Sequence, residues 1–367
     1  MRNIVLLILS AISLAVQGQG VKTPRGSKLA AVSEQIGITD VTISYSRPAV
    51  NGREGKIWGD LVPYGFVDYH YGTSKAAPWR AGANENTTIE FSTDVTIEGK
   101  PLAAGKYGFF IAMGPEKATL VFSKDNNAWG SFYYNPASDA LRVDVPVTKT
   151  TGSVERLKYE FGAETDSSAV AMLEWEMVKI PFTVGVDLKK TRVDAYRNAF
   201  NSGIFYEYWQ NMQLAADFCL ENDVNLEEGL SWADRSINTW FGEANFRTLS
   251  TYAGLLEKVG RRREADSLMK LAFPKGGTRD IDDYAGRLLR MKKYKEAFAA
   301  YKTNYDKAPK DWLTNLGMAK GCAAMGDKAA AIKYADASQQ LIEDRGAKAY
   351  VGRVKQGITE GKDVSQL

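Results

Sequence analysis

Apolar positions recur at every second residue from about residue 30 to residue 187. The segments VTISY (41–45), TTIEF (87–91), VTIEG (95–99), KYGFFIAM (106–113), ATLVFS (118–123), LRVDVPV (141–147), LKYEF (157–161) and AVAMLEWEM (169–177) alternate or run β-branched and aromatic, as strands do. Turn chemistry separates them: PAVNGREGK, EGKPLAAGK, GPEK, SKDNNAWG and NPASD, with Asn51-Gly52, Glu98-Gly99 and Gly114-Pro115 as the strongest breakers. Short strands at hairpin spacing, with no helical stretch between them, predict an antiparallel β-sandwich over residues 22–187, or a barrel. Segment 49–83 is the exception. It is rich in Gly, Pro and aromatics and too long for a casual connection, so it is expected to bind something or to pack as an ordered cap.

After Asp187 the apolar period becomes helical. RVDAYRNAFNSGIFYEYWQNMQLAADFCLEN places apolar and aromatic residues at three- and four-residue steps. Proline nearly disappears: beyond Pro181 only Pro274 and Pro309 remain, each where a helix would end. The helical half also repeats. LLEKVGRRREADSLMKLA (255–272), LLRMKKYKEAFAAYKTN (288–304) and CAAMGDKAAAIKYADAS (322–338) each carry an apolar residue, a short turn, an Ala of a second helix, then aromatic or Met partners. Ala265, Ala297 and Ala331 are spaced by 32 and 34 residues, and Pro309 follows Ala297 by twelve, which is tetratricopeptide spacing. NLEEGLSWADRSINTW (225–240) resembles the second helix of an earlier, degenerate unit. An all-α, tetratricopeptide-like repeat array is therefore expected over residues 192–360, with an unspecialised helical bundle as the alternative. The domain boundary is expected near 181–192.

The first residues add an export signal. Arg2 supplies a positive charge, residues 4–16 form an apolar run broken by two serines, and Val16 and Gly18 suit a cleavage site before Gln19. The run is too short for a bilayer span, which needs roughly 20 residues. Residues 1–18 are accordingly expected to be removed, leaving no membrane span in a periplasmic or secreted protein. A net charge of +3 is too weak and dispersed for nucleic-acid binding. The two cysteines, Cys219 and Cys322, each sit in an amphipathic helical stretch and read as separate core thiols, although an oxidising compartment would permit a disulfide. The single histidine, His70, lies in an aromatic-rich loop, so no multi-histidine metal site can form.

Several segments of the N-terminal half carry a family resemblance. TPRGSKLAAVSEQIGITDVTISYSRPAVNGREGKIWGDLVPYG, WRAGANENTTIEFSTDVTIEGKPLAAGKYGFF, and WGSFYYN with LRVDVPV together resemble the DUF2911 family, secreted proteins mainly of Bacteroidetes-type bacteria whose domain has no established activity. The resemblance covers residues 22–187, with YSRP, LVPYG, WRAGANE and GKYGFF as its most specific pieces. FVDYHYGTSKAAP intervenes between LVPYG and WRAGANE, where the family usually has only a residue or two. His70 falls in this insertion, which argues against a family-wide catalytic role for it. The helical half looks like the tetratricopeptide class, which implies a partner-binding scaffold.

Candidate chemistry is sparse. The densest polar constellation comprises Arg47, Arg53, Trp58, Trp79, Arg80, Asn84 and Glu85, joined by Tyr45, Tyr64 and Asn86. Guanidinium grips planar anions and indole stacks on apolar faces, so this set suits a carboxylate or carbohydrate ligand. The competing account makes Arg47–Glu85 a buried pair and the tryptophans caps of the sheet. A glycosidase pair of Glu85 and Asp60 needs a separation that sequence does not define. Motifs for a serine nucleophile, a dinucleotide, a phosphate loop or a zinc protease are absent, and no cofactor or metal is expected. Asp125-Asn126-Asn127 reads as a hairpin turn. In the helical half, Arg261, Arg262, Arg263, Lys292 and Lys293 sit in turns between paired helices. They read as solvated turn charge or as a basic ridge for an acidic partner. Two functions follow: a non-catalytic scaffold binding an unidentified protein partner through the repeats, or a carbohydrate- or carboxylate-binding protein or hydrolase working through the loop constellation.

Overall fold

The computed structural model describes residues 24–203 and 208–367. The expected signal peptide over residues 1–18 lies outside the described residues. The chain divides into two compact units, the first ending at Leu188 and the second starting at Lys189.

Among the described residues the first unit contains ten strands: β1 (Lys28–Ile36), β2 (Thr39–Arg47), β3 (Thr87–Phe91), β4 (Val95–Ile97), β5 (Lys100–Leu102), β6 (Gly105–Ala112), β7 (Lys117–Ser123), β8 (Asp139–Pro146), β9 (Thr148–Gly162) and β10 (Ser168–Gly185). They form a six-stranded sheet in the order β1-β2-β3-β6-β7-β8 and a four-stranded sheet in the order β5-β4-β10-β9, with every pair antiparallel. Alternation along β2 turns Val41, Ile43 and Tyr45 inward. They meet Leu157, Leu173, Ile180 and Phe182 of the second sheet in one hydrophobic core. This is a sandwich. The β10–β9 register shifts on both sides of Glu176, whose φ of 52° is left-handed, mark a bulge there. Pro181 is tolerated inside β10 because it lies after the last β9 pair, Lys179 with Thr148, and before the first β4 pair, Val184 with Ile97.

Strands β6 and β7 are apolar on both faces, and both faces are covered. Phe109, Ile111, Leu120 and Phe122 join the sandwich core, while Phe110 and Val121 face the other way. There they pack with Ala77, Tyr134, Phe66 and Tyr69. Residues 66–78 therefore form an ordered cap, pinned by paired hydrogen bonds between Val67 and Ala77.

Among the described residues, ten helices follow the strands, the first beginning at the boundary residue Leu188: α1 (Leu188–Asn201), α2 (Trp209–Asn222), α3 (Leu226–Asn238), α4 (Phe246–Lys258), α5 (Arg262–Ala272), α6 (Thr278–Arg290), α7 (Tyr294–Lys307), α8 (Trp312–Ala324), α9 (Lys328–Gln340) and α10 (Arg345–Glu360). α2 packs on α3, α4 on α5, α6 on α7 and α8 on α9, and the first helices α2, α4, α6, α8 and α10 follow one another side by side. The repeated small residue explains the close approach. Ala265, Ala297 and Ala331 are each the fourth residue of a second helix and are buried. Gly229 takes that position in α3, where an added Cβ would come within 2.8 Å of the Cys219 Cβ. Asp311, Asp327 and Asp344 cap the starts of α8, α9 and α10 by accepting from backbone N–H groups. Cys219 and Cys322 are buried free thiols in α2 and α8, each in a separate hydrophobic cluster.

Candidate functional site

The first helices of the pairs line a groove of about 450 Å³ on the helical unit. α2 supplies Asp217 and Glu221, α4 Phe246 and Arg247, and α6 contributes Asp282, Asp283, Tyr284, Arg287 and Arg290; Lys320 of α8 and Tyr350 of α10 close it. One wall is a polar staple through three successive repeats. Arg287 Nη1 donates to Asp217 Oδ1 at 2.6 Å and to Thr251 Oγ1 at 3.0 Å, and its Nη2 donates to Ser250 Oγ at 3.2 Å. Thr251 donates to the same carboxylate oxygen at 2.6 Å, and Gln213 donates to Thr251 Oγ1 at 2.6 Å. Arg247 reaches the other oxygen, Oδ2, at 2.9 Å. The Asp217 and Arg287 side chains are only 10% and 11% exposed, so their attraction is weakly screened.

The groove lining also includes a carboxylate that forms no ion pair, Asp282 of α6. Asp282 makes no hydrogen bond or ion pair within the described residues. It is half-buried, with Oδ1 lying 3.1 Å from where a Cβ on Gly317 would stand and Tyr301 against the same glycine. Burial is the main cause that lifts its pKa from 3.8 to about 7, with Asp283 and Asp311 adding to the rise and Lys320 and Arg279 opposing it. Lys320 donates to the Tyr350 hydroxyl at 2.9 Å. Glu221 has Arg290 at 3.3 Å, a half-exposed pair.

The loop constellation of the β unit is dispersed. Arg47 donates through Nε to the Leu157 carbonyl at 2.9 Å, and Arg53 donates to the carbonyls of Val50 and Ala49. The Arg47–Glu85 pair of the competing account does not form, because Glu85 binds Arg25 at 2.7 Å instead. Trp79 is buried and Trp58 partly buried, and both pack edge-on or stacked against Trp175 inside the sandwich. Apart from the Trp58–Trp79 contact inside the sandwich, Arg80, Asn84 and Glu85 stay together, with Arg80 Nη1 donating to the Asn84 carbonyl at 2.8 Å and Asn84 tied to the Ser27 carbonyl. His70 is exposed and lies 3.7 Å from the Asp68 carboxylate.

The basic turns are partly neutralised. Arg261 forks onto Glu264 with both contacts at 2.7 Å, and Lys293 pairs with Glu257 at 2.6 Å. Arg262 and Arg263 open α5, and Lys292 occupies a left-handed turn at φ 58°. Asp217, Asp282 and Arg287 were not singled out in sequence. Their signal was available: charged residues on helix faces whose neighbours in the period are apolar.

No helix among the described residues is long and apolar enough to cross a membrane. Residues 27–184 match the family model described as "Protein of unknown function (DUF2911)". No curated protein matches the chain. Among solved structures, the chain is similar to one titled "Crystal structure of YrrB: a TPR protein with an unusual peptide-binding site", with 13% identity and a TM-score of 0.25, over 47% of this chain and 88% of that chain. Residues 27–184 are thus similar to a domain family of unknown function, and an array of paired helices follows them.

Proposed function

We propose that this protein is an exported, non-catalytic scaffold whose helical unit holds an extended segment of a partner protein in the groove of its first helices. The observation that carries the reading is Asp282, a poorly hydrated carboxylate in the groove lining with no hydrogen bond or direct ion pair, its nearest cations acting only through space. Such a group is costly to maintain in an isolated fold and gains most from an incoming cation. The partner segment is therefore expected to place a Lys or Arg side chain against Asp282, beside the rings of Tyr284 and Tyr350. The groove, rather than the turn residues Arg261 to Arg263, Lys292 and Lys293, is the working surface in this reading.

Selection of displayed random peptides on the full chain tests it. Enriched sequences should carry a basic residue and lose binding to Gly286→Trp. Gly286 lines the groove, and an added Cβ meets nothing closer than 3.8 Å, so the indole fills the groove without moving the backbone. Enrichment without basic residues, or binding untouched by Gly286→Trp, overturns the proposal. Export is part of the reading and rests on residues 1–18. An envelope form whose N-terminal residue is Gln19 would support it, and a cytoplasmic form starting at Met1 would refute it.

A further inference from the structure

The WRAGANE loop leaves Arg80 without a counter-ion. Its guanidinium is half-buried, lies 5.0 Å over the Phe132 ring, and donates to the Asn84 carbonyl. No carboxylate pairs with it among the described residues, because Glu85, the nearest acidic residue in sequence, is held by Arg25. Gly130 is shaped to it: a Cβ there would stand 2.8 Å from the guanidinium carbon. Burial lowers the Arg80 pKa, and burial raises that of Tyr69, whose ring lies edge-on to Phe132 at 5.8 Å. The loop also contains two non-glycine residues in left-handed conformations, Ala81 at φ 51° and Asn84 at φ 62°. Such local strain is kept where surrounding structure imposes it, and it clusters at binding sites.

Beside this cation lies an exposed aromatic surface. Tyr71, Trp129 and Tyr133 are 63%, 60% and 60% exposed. Tyr71 stands edge-on to Phe132 at 5.0 Å and to Tyr133 at 6.5 Å, and the Trp129 backbone is bridged to Glu85. The surface thus runs from Glu85 through Arg80 and Phe132 to Tyr71 and Tyr133. Large rings left in water beside a rigid, uncompensated cation mark an interaction surface. Its chemistry names the ligand. A guanidinium fork suits a carboxylate, and exposed Trp and Tyr rings suit the apolar face of a pyranose.

We propose that the β unit binds a carboxylate-bearing sugar, a uronic acid within an oligosaccharide, with its carboxylate on Arg80 and its ring faces on Tyr71, Trp129 and Tyr133. This site is independent of the helical groove. It differs from the constellation read in sequence, since Arg47, Arg53, Trp58 and Trp79 take no part.

Calorimetric titration of the full chain tests the proposal, with a panel of glucuronate-, galacturonate- and mannuronate-containing oligosaccharides, neutral oligosaccharides of equal length, and polyglutamate. At least one acidic oligosaccharide should bind roughly tenfold or more tighter than its neutral counterpart and than polyglutamate. Trp129→Ala and Tyr71→Ala alter exposed side chains, so their folds are preserved, and each should weaken that binding at least several-fold. Arg80→Lys should remove the preference for the acidic sugar. Silence across the acidic panel, equal binding of neutral sugars or polyglutamate, or unchanged binding in all three variants overturns the proposal.

Discussion

Replacing Arg287 by Met tests whether the staple through α2, α4 and α6 organises the groove. The variant keeps most of the side-chain length and removes three hydrogen bonds, to Asp217, Thr251 and Ser250. Removing one partner of a buried pair typically costs about 3–5 kcal/mol, because the remaining charge loses its compensation. Asp217 would keep Thr251 at 2.6 Å and Arg247 at 2.9 Å, but the Arg247 side chain is 59% exposed and contributes little. The expected loss is therefore roughly 3 kcal/mol, at the lower edge of that range. The double variant Asp217→Leu, Arg287→Met removes both charges and should cost only about 1 kcal/mol, so restoring neutrality recovers stability that the single variant loses. Urea unfolding of the full chain, followed through the far-ultraviolet helical signal, measures both. A loss below about 0.5 kcal/mol for Arg287→Met, or a double variant that costs the sum of the two single changes, would show that the pair does not hold the repeats.

Further outcomes follow from single groups. The Asp282 carboxyl releases its proton near 3.8 when unfolded and near 7 when folded, so the folded chain binds the extra proton and stability falls as pH rises between those values. At about 1.4 kcal/mol per pH unit the bound is about 4 kcal/mol, reduced by water access to about 2. Asp282→Asn should flatten that pH dependence and be the more stable protein above pH 7, as urea midpoints at acidic and alkaline pH will show; equal slopes would disprove it. Burial pushes the Cys219 thiol up to about 12, and Cys322 is raised for the same reason. Both thiols should resist a thiol reagent until urea unfolds the helices, and fast labelling of either in the folded chain would contradict their burial. Gly317→Ala puts a Cβ 2.5 Å from Tyr301 Cδ1, and overpacking of this kind should cost about 1–3 kcal/mol in the same assay; an unchanged midpoint would place α7 and α8 further apart.

The fold was legible where one physical signal dominated. Period-two segments marked most strands, and the recurring small residue at Ala265, Ala297 and Ala331 marked the second helices. β1 escaped because it is an edge strand, largely exposed until Ile36, with too little apolar alternation to register. β10 ran past its expected end because Pro181 sits between two pairing partners rather than in a ladder. The loop constellation was harder to read. Sequence brought Arg47 and Glu85 together, but Leu157 and Arg25, distant in the chain, claimed them. Tryptophan identity alone did not separate the buried Trp79 from the exposed Trp129, since that distinction arises only when the sheets pack. The groove charges were likewise hidden, because Asp217, Asp282 and Arg287 meet through helix stacking and not through spacing.

The central claim, that the groove takes a basic partner segment at Asp282, is tested most directly by titrating a selected basic peptide into the full chain at about pH 6 and about pH 8. With a carboxyl titrating near 7, its ionised fraction rises from about one tenth to about nine tenths between those values. Affinity should rise by up to about tenfold, and Asp282→Asn should bind with the lower affinity at both values. Equal affinity at the two pH values, together with an unchanged Asp282→Asn, would mean that the partner's charge is read elsewhere or not at all.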